Sequence, residues 1–384
     1  MAEQDIEDKE AKTTKPKRPL RWWAGMVMLA AAAVVALLWL SKRLTVASAK
    51  QRLAAIETAL AIPEEENAAV IYSEVLANTD LASSQPAFLS RAGLTGPWLS
   101  ADHPDAAEWL QGHQSAISRL LEASQKQKCH LPLAVGTAYA AGRVHLVRAV
   151  RPWAQLLVSA ANNDIAEGRI DAALKKYRCI MRMAAHLQQQ PLIVYFLPGI
   201  AIDAFAMGHI KSLIVQGDVT DGHLDMIEQS LGSTQDNWDD IWTELWEMEG
   251  LYERLEPGNW DFLRWLKRIF SSKWDLSRRV RTYYVQLLAA RRSSLILIAV
   301  RKYKNQNARW PQSLADITHV GPPEIFIDPL NAGSFVYKLT QDTFTLYSTG
   351  KNNIDENGNH TGGADDWLIW PAKNRGAQRR PPAE

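Results

Sequence analysis

Two cysteines in 384 residues rule out a disulfide-stapled scaffold and, by themselves, a thiolate zinc centre. Cys129 and Cys179 either pair once in an oxidising compartment or remain two separate buried thiols. The chain also lacks HExxH, GxSxG, GxxxxGK and GxGxxG, so no zinc protease helix, nucleophile elbow or phosphate loop announces a reaction. Its nine histidines are scattered, and His186 and His209 fall on helical faces as packing residues. Glu244, Glu247 and Glu249 read as a solvated helix face. A formal net charge of +1 supplies no field for nucleic acid or for an acidic substrate. Catalysis is left without a signature, although a pair of groups assembled from distant segments leaves no trace in one sequence.

One long apolar run is present. Trp22 to Leu40, WWAGMVMLAAAAVVALLWL, carries no charge and is flanked by Arg21 on one side and by Lys42 and Arg43 on the other. At about 1.5 Å per residue it matches a hydrocarbon core of roughly 30 Å, with Trp22, Trp23 and Trp39 at the levels where interfacial aromatics anchor. The run predicts a membrane-spanning helix over 22–41 whose partner is the lipid bilayer. Lys9, Lys12, Lys15, Lys17, Arg18 and Arg21 outnumber Lys42, Arg43, Lys50 and Arg52, which predicts a cytoplasmic N-terminus. The competing reading is a cleaved secretory signal ending at Ala47-Ser48-Ala49, and either reading exports residues 50–384. The expected location is the inner membrane, single-pass, with the bulk of the chain periplasmic or extracellular and no nucleic-acid partner.

The expected organisation is mainly α. Residues 1–21 form a cytoplasmic tail, acidic then basic, and 42–282 an exported α-helical bundle in which apolar positions recur every three or four residues, as at Leu53, Ile56 and Leu60. Pro and Gly clusters at 91–104 and 191–199 read as connections, with Asp102 or Asp105 as a helix cap. Trp153 to Leu187 reads as a helical hairpin turning near Gly168 and crossing closely at Ala160, Ala161, Ala172 and Ala173. That hairpin is similar to one tetratricopeptide unit; an irregular bundle is the plainer reading. Trp238, Trp242 and Trp246 share a helical face, and Trp260, Trp265 and Trp274 follow among basic residues, so this stretch is either core or a segment resting on a bilayer surface.

A compositional shift marks 283–372 as a small α+β domain, followed by a basic tail over 373–384. Tyr283 to Asn305 reads as an amphipathic helix, and strands are predicted at Phe335–Leu339, Thr343–Tyr347 and Trp367–Trp370, an antiparallel sheet.

The sequence RKYKNQNARWPQSLADI, then IDPLNAGSFVYKL, FTLYSTGKNNIDENGN and GGADDWLIW, resembles the C-terminal half of the major pseudopilins of type II secretion systems. The resemblance covers about Tyr283 to Pro371. It implies a helix packed on a small sheet and a calcium-binding loop before the last strand, here Asn353 to Asp366. The peptidase site and glutamate-bearing hydrophobic start of that family are missing, so fibre assembly is not implied. The whole chain is similar to bacterial single-pass envelope proteins of unknown role.

By its own chemistry, the loop offers alternating oxygens at Asn353, Asp355 and Asn357 with Gly358 for a sharp turn, and Asp365 and Asp366 close it. Ala364 stands where an EF-hand needs a bidentate glutamate, so the alternatives are a calcium site of another type and a plain Asn/Gly turn. The functional expectation is a binding or assembly role at the envelope, with a secretion-system protein as partner. The alternative is an exported hydrolase whose active site lies between the helical and C-terminal domains.

Overall fold

The structure is a computed structural model. It describes residues 20–79, 81, 85–89, 92–133, 137–255, 273–341, 343–361 and 363–371, with backbone alone at 20–27, 29–32, 42, 92, 137–144 and 273–274. The tails, and the tryptophan-rich stretch with Trp260, Phe262, Leu263, Trp265, Ile269 and Phe270, lie outside these residues.

Ten α-helices and one small sheet are described, and they fall into two compact units, residues 1–55 and 56–384. α1 (Leu20–Leu60) begins in the first unit. The second contains α2 (Ala68–Asn78), α3 (Pro104–Gly112), α4 (Gln114–Gln125), α5 (Thr137–Ala166), α6 (Ile170–Gln188), α7 (Ile193–Gln216), α8 (Asp221–Glu228), α9 (Trp238–Leu255) and α10 (Lys273–Asn307). β1 (Val336–Leu339), β2 (Phe344–Ser348) and β3 (Trp367–Trp370) follow, each within one residue of its predicted bounds.

The hairpin read at 153–187 is α5 and α6, joined at Gly168 with φ +76°, a left-handed turn that glycine adopts without steric cost. α6 buries Ala173, Leu174, Tyr177, Ile180, Met181, Ala184 and Leu187, the three-and-four spacing of a core-facing stripe, at about 1.5–3 kcal/mol for each large side chain. α7 packs against α5, α6 and α10. Among the helices whose side chains are described throughout, it is the one long and apolar enough to cross a membrane, but 56% of its apolar window is buried within the protein, so its apolarity serves the core.

Several expectations change on folding. Pro198, read as part of a connection, lies inside α7, where it has no N–H to offer the Val194 carbonyl. Neither Asp102 nor Asp105 caps α3; His103 holds the cap position with no side-chain bond, and Asp105 lies in the first turn. Glu249 is 3% exposed rather than solvated, because its Oε1 accepts the amide of Ile193 (3.1 Å) at the start of α7. Trp238 and Trp242 stack in the core with Tyr284, Leu287 and Leu288. Cys129 and Cys179 are buried and free, and burial pushes both thiols up to about 12.

α10 unites helical body and C-terminal unit, and the expected domain boundary at 282/283 falls inside it. Arg291 donates to Asp203 Oδ2 on α7 (2.6 Å), to Gln188 on α6 and to the Ser233 carbonyl. Arg292 donates twice to the Thr234 carbonyl and once to that of Ile327 (2.8 Å), just before the sheet. The sheet has the order β1-β2-β3, antiparallel throughout, with Leu339 opposite Phe344 and Leu346 opposite Trp370. Phe344, Leu346 and Tyr347 on the central strand are fully buried.

Lys211 of α7 is 6% exposed, and its Nζ lies 5.5 Å from the centre of the Trp367 ring on β3 with no ion pair among the described residues. Burial lowers its pKa from 10.5 to about 8. Because the fold disfavours the charged form, the penalty is full below about pH 8 and disappears as pH rises towards 10.5. Chemical unfolding of Lys211→Met at pH 7 should therefore give a protein more stable by on the order of 2 kcal/mol. The wild type should approach the variant between pH 8 and 10; an equal gap at both pH values would refute the assignment.

Candidate functional site

The loop between β2 and β3 is held by side chains bonding backbone amides. Gly350, with φ +62°, opens it, and a Cβ there would lie 2.3 Å from both the carbonyl and Oδ1 of Asp365. Asn353 and Asn357 also have positive φ (56° and 59°), which asparagine tolerates better than most residues. Asp365 Oδ2 accepts from the amides of Lys351 (2.8 Å) and Asn352 (3.3 Å), and Asp366 Oδ2 from those of Glu356 (2.9 Å) and Gly358 (2.7 Å).

The five expected ligands separate into three groups. Asp355 and Asn357 meet on the ammonium of Lys338, at 3.1 Å from Asp355 Oδ2 and 2.7 Å from Asn357 Oδ1. The Tyr347 hydroxyl donates to Asp355 Oδ1 at 2.6 Å; this bond, then the Asn357 amide and Lys338, holds the Asp355 carboxyl below its usual range. Asn353 Oδ1 accepts from the Thr349 hydroxyl, which in turn accepts from Asn331 Nδ2.

Asp365 and Asp366 differ in having oxygens to spare. Oδ1 of each is buried with no hydrogen-bond partner among the described residues, and Asp366 is wholly buried. Burial raises the Asp366 pKa despite two amide donors. A buried carboxylate oxygen without a donor is costly, and a hard cation would offset that cost. No group of three or more Asp, Glu, His or Cys side chains is positioned to hold a metal among the described residues, so a calcium ion here would need backbone carbonyls and water besides these two carboxylates.

Sequence reasoning missed Lys338 and Asp328. The Lys338–Tyr347 relation needs the β1–β2 register, in which Val336 pairs with Tyr347 and Lys338 with Thr345, placing Lys338 diagonally beside the tyrosine. Asp328 is fully buried beneath the 328–333 turn, where its Oδ1 accepts the Leu330 amide (2.9 Å). Of the histidines singled out, His186 accepts from the Tyr72 hydroxyl (2.9 Å) and donates to the Lys126 carbonyl (3.1 Å), and His209 packs edge-on against Phe205. Burial lowers both imidazoles to about 4.

Comparison with family models, with curated proteins and with solved structures finds no match to this chain. The functional reading therefore rests on its own residues.

Gly350→Ala should destabilise the protein by roughly 2 kcal/mol or more, through positive φ and the clash with Asp365 together. Denaturant unfolding measures this, and a change under about 0.5 kcal/mol, the scale of an ordinary surface substitution, would mean that the loop repacks freely.

Proposed function

We propose that the protein is a single-pass envelope protein, N-terminus cytoplasmic, whose exported body binds or assembles with another envelope component. The observation that carries the anchor is the surface of α1. Every residue from Ala33 to Ser41 is exposed, and Val34, Val35, Leu37, Leu38, Trp39 and Leu40 are each at least half exposed. A helix that is apolar on all sides with nothing covering it suits lipid and not water. Arg43 lies 3.9 Å over the Trp39 ring, a basic and aromatic pair of the kind that marks a membrane interface. Ala47-Ser48-Ala49 lies within the unbroken helix, which supports a retained anchor over a cleaved signal. Alkaline carbonate extraction tests this: the full chain should stay in the membrane pellet, and release into the supernatant would remove the anchor.

The C-terminal unit supports the assembly role by its likeness to the major pseudopilins, with the three-stranded sheet and the loop closed by Asp365-Asp366 presented to a partner of the secretion-related kind. In this reading calcium would be held by Asp365 and Asp366, while Asp355 and Asn357 are already served by the Lys338 ammonium. The melting temperature of the full chain in detergent should rise with calcium relative to chelator. Asp366→Asn should abolish the rise, and Lys338→Met, which vacates a second pair of oxygens, should enlarge it. No calcium effect in the wild type would remove the metal and leave the anchor untouched.

A further inference from the structure

The helical body contains a second polar site. α5 carries Asn162-Asn163-Asp164 in its last turns, a buried polar run that a helix interior accommodates only with partners for every group. Asn162 is satisfied within the protein, by the Gly93 carbonyl (3.0 Å) and the Tyr177 hydroxyl (3.1 Å). Its two neighbours hold something else. Asp164 accepts from Arg169 Nε (2.8 Å) and pairs with the Lys176 ammonium, and Asn163 Oδ1 accepts from Arg169 Nη2 (3.1 Å).

These groups line a cavity of about 270 Å³ between α3, α4, α5 and α6. Its charged part is Asp164, Arg169 and Lys176, one carboxylate against two cations. Lys176 and Asp164 are nearly buried, with side chains 12% and 9% exposed. An ammonium has three donors and a guanidinium five; Asp164 and Asn163 engage one on Lys176 and two on Arg169. The nearest further carboxylate, Glu167, accepts the Ser100 amide (2.9 Å) and lies 3.9 Å from Arg169 Nη1. Leu110, Ile117 and Ala160 are the larger apolar contributors to the lining, and the exposed Gln111 and Gln114 stand at the rim.

From this arrangement we infer that the cavity is a binding site for a small organic anion, a carboxylate or a phosphate monoester. The two cations are fixed in advance by Asp164 and Asn163, so a ligand anion spends little on ordering them. With Glu167 3.9 Å from Arg169, two carboxylates face two cations, so what favours an anion is the pair of further donors on the Lys176 ammonium and not a net charge. The volume lies at or below the lower end of ordinary ligand sites, roughly 300–1,000 Å³, which suits a single small molecule and not a polymer. The site shares no residue with the β2–β3 loop, so it stands or falls independently of calcium.

The test is thermal unfolding of the full chain in detergent with chelator present, titrated with sodium glutarate or inorganic phosphate against sodium chloride at matched ionic strength. At least one of the two anions should give a saturable upshift of roughly 2–4 °C, and which one does so distinguishes carboxylate from phosphate as the recognised head. Gln114→Trp, a substitution on the exposed rim, should leave the unliganded melting temperature unchanged and abolish the shift. Lys176→Gln should weaken binding about tenfold, the loss of one charge-assisted bond. Should Lys176→Gln fail to fold, the Gln114→Trp arm decides alone. An equal shift with chloride, a shift that survives Gln114→Trp, or no shift with either anion would overturn the proposal.

Discussion

The larger unit, residues 56–384, depends on one buried ion pair. Arg291 on α10 and Asp203 on α7 have side chains 9% and 3% exposed and meet at 2.6 Å, so neither charge can be removed without stranding the other at a cost of about 3–5 kcal/mol. The pair fixes the rotation of α10 against α7, and that rotation decides where its neighbour Arg292 points. Arg292 in turn holds the 234 loop and the Ile327 carbonyl, from which the chain enters the C-terminal unit. Gly232 belongs to the same arrangement, because a Cβ there would fall 2.5 Å from the Arg291 Cζ. Helical body and sheet are thus aligned by two adjacent arginines.

The β2–β3 loop shows a second use of charge. Its first half is neutralised from within, since Lys338 donates from β1 to Asp355 and Asn357, and the Tyr347 oxygen first, then the Asp355 carboxylate, hold its pKa above the ordinary value. Its second half keeps two buried carboxylate oxygens without donors among the described residues. The same short segment therefore combines a self-contained ion pair with an electrostatic deficit, and a partner or cation would meet the deficit and not the pair.

How far the sequence could be read follows from the range of the interactions. Aromatic and β-branched residues concentrate in FVYKL, FTLYS and WLIW, a local signal, and all three strands were legible although burial along them does not alternate. The α5–α6 hairpin was legible because Gly168 and the flanking alanines are adjacent in the chain. Glu249 was misread because its partner, the Ile193 amide, lies 56 residues away, and a glutamate in the same run as the exposed Glu244 and Glu247 reads as one more surface charge. The Lys338 clasp depends on strand register, and the Asp164–Lys176 cavity on how α3 and α4 lie across the hairpin. Of the five candidate ligands, the sequence located the loop but could not tell which oxygens other donors already occupy.

The central claim is that α1 spans a bilayer with its N-terminus inside and the rest of the chain exported. Cysteine labelling in intact cells tests it most directly, since Cys129 and Cys179 are buried and give little background. Lys12→Cys and Ile354→Cys would report the two sides of the membrane to a membrane-impermeant maleimide; Ile354 is 60% exposed in the β2–β3 loop. The account predicts labelling at position 354 in cells whose outer barrier has been permeabilised, and labelling at position 12 only after the inner membrane is broken. Labelling at position 12 in intact inner membranes, or protection of both positions until lysis, would contradict it.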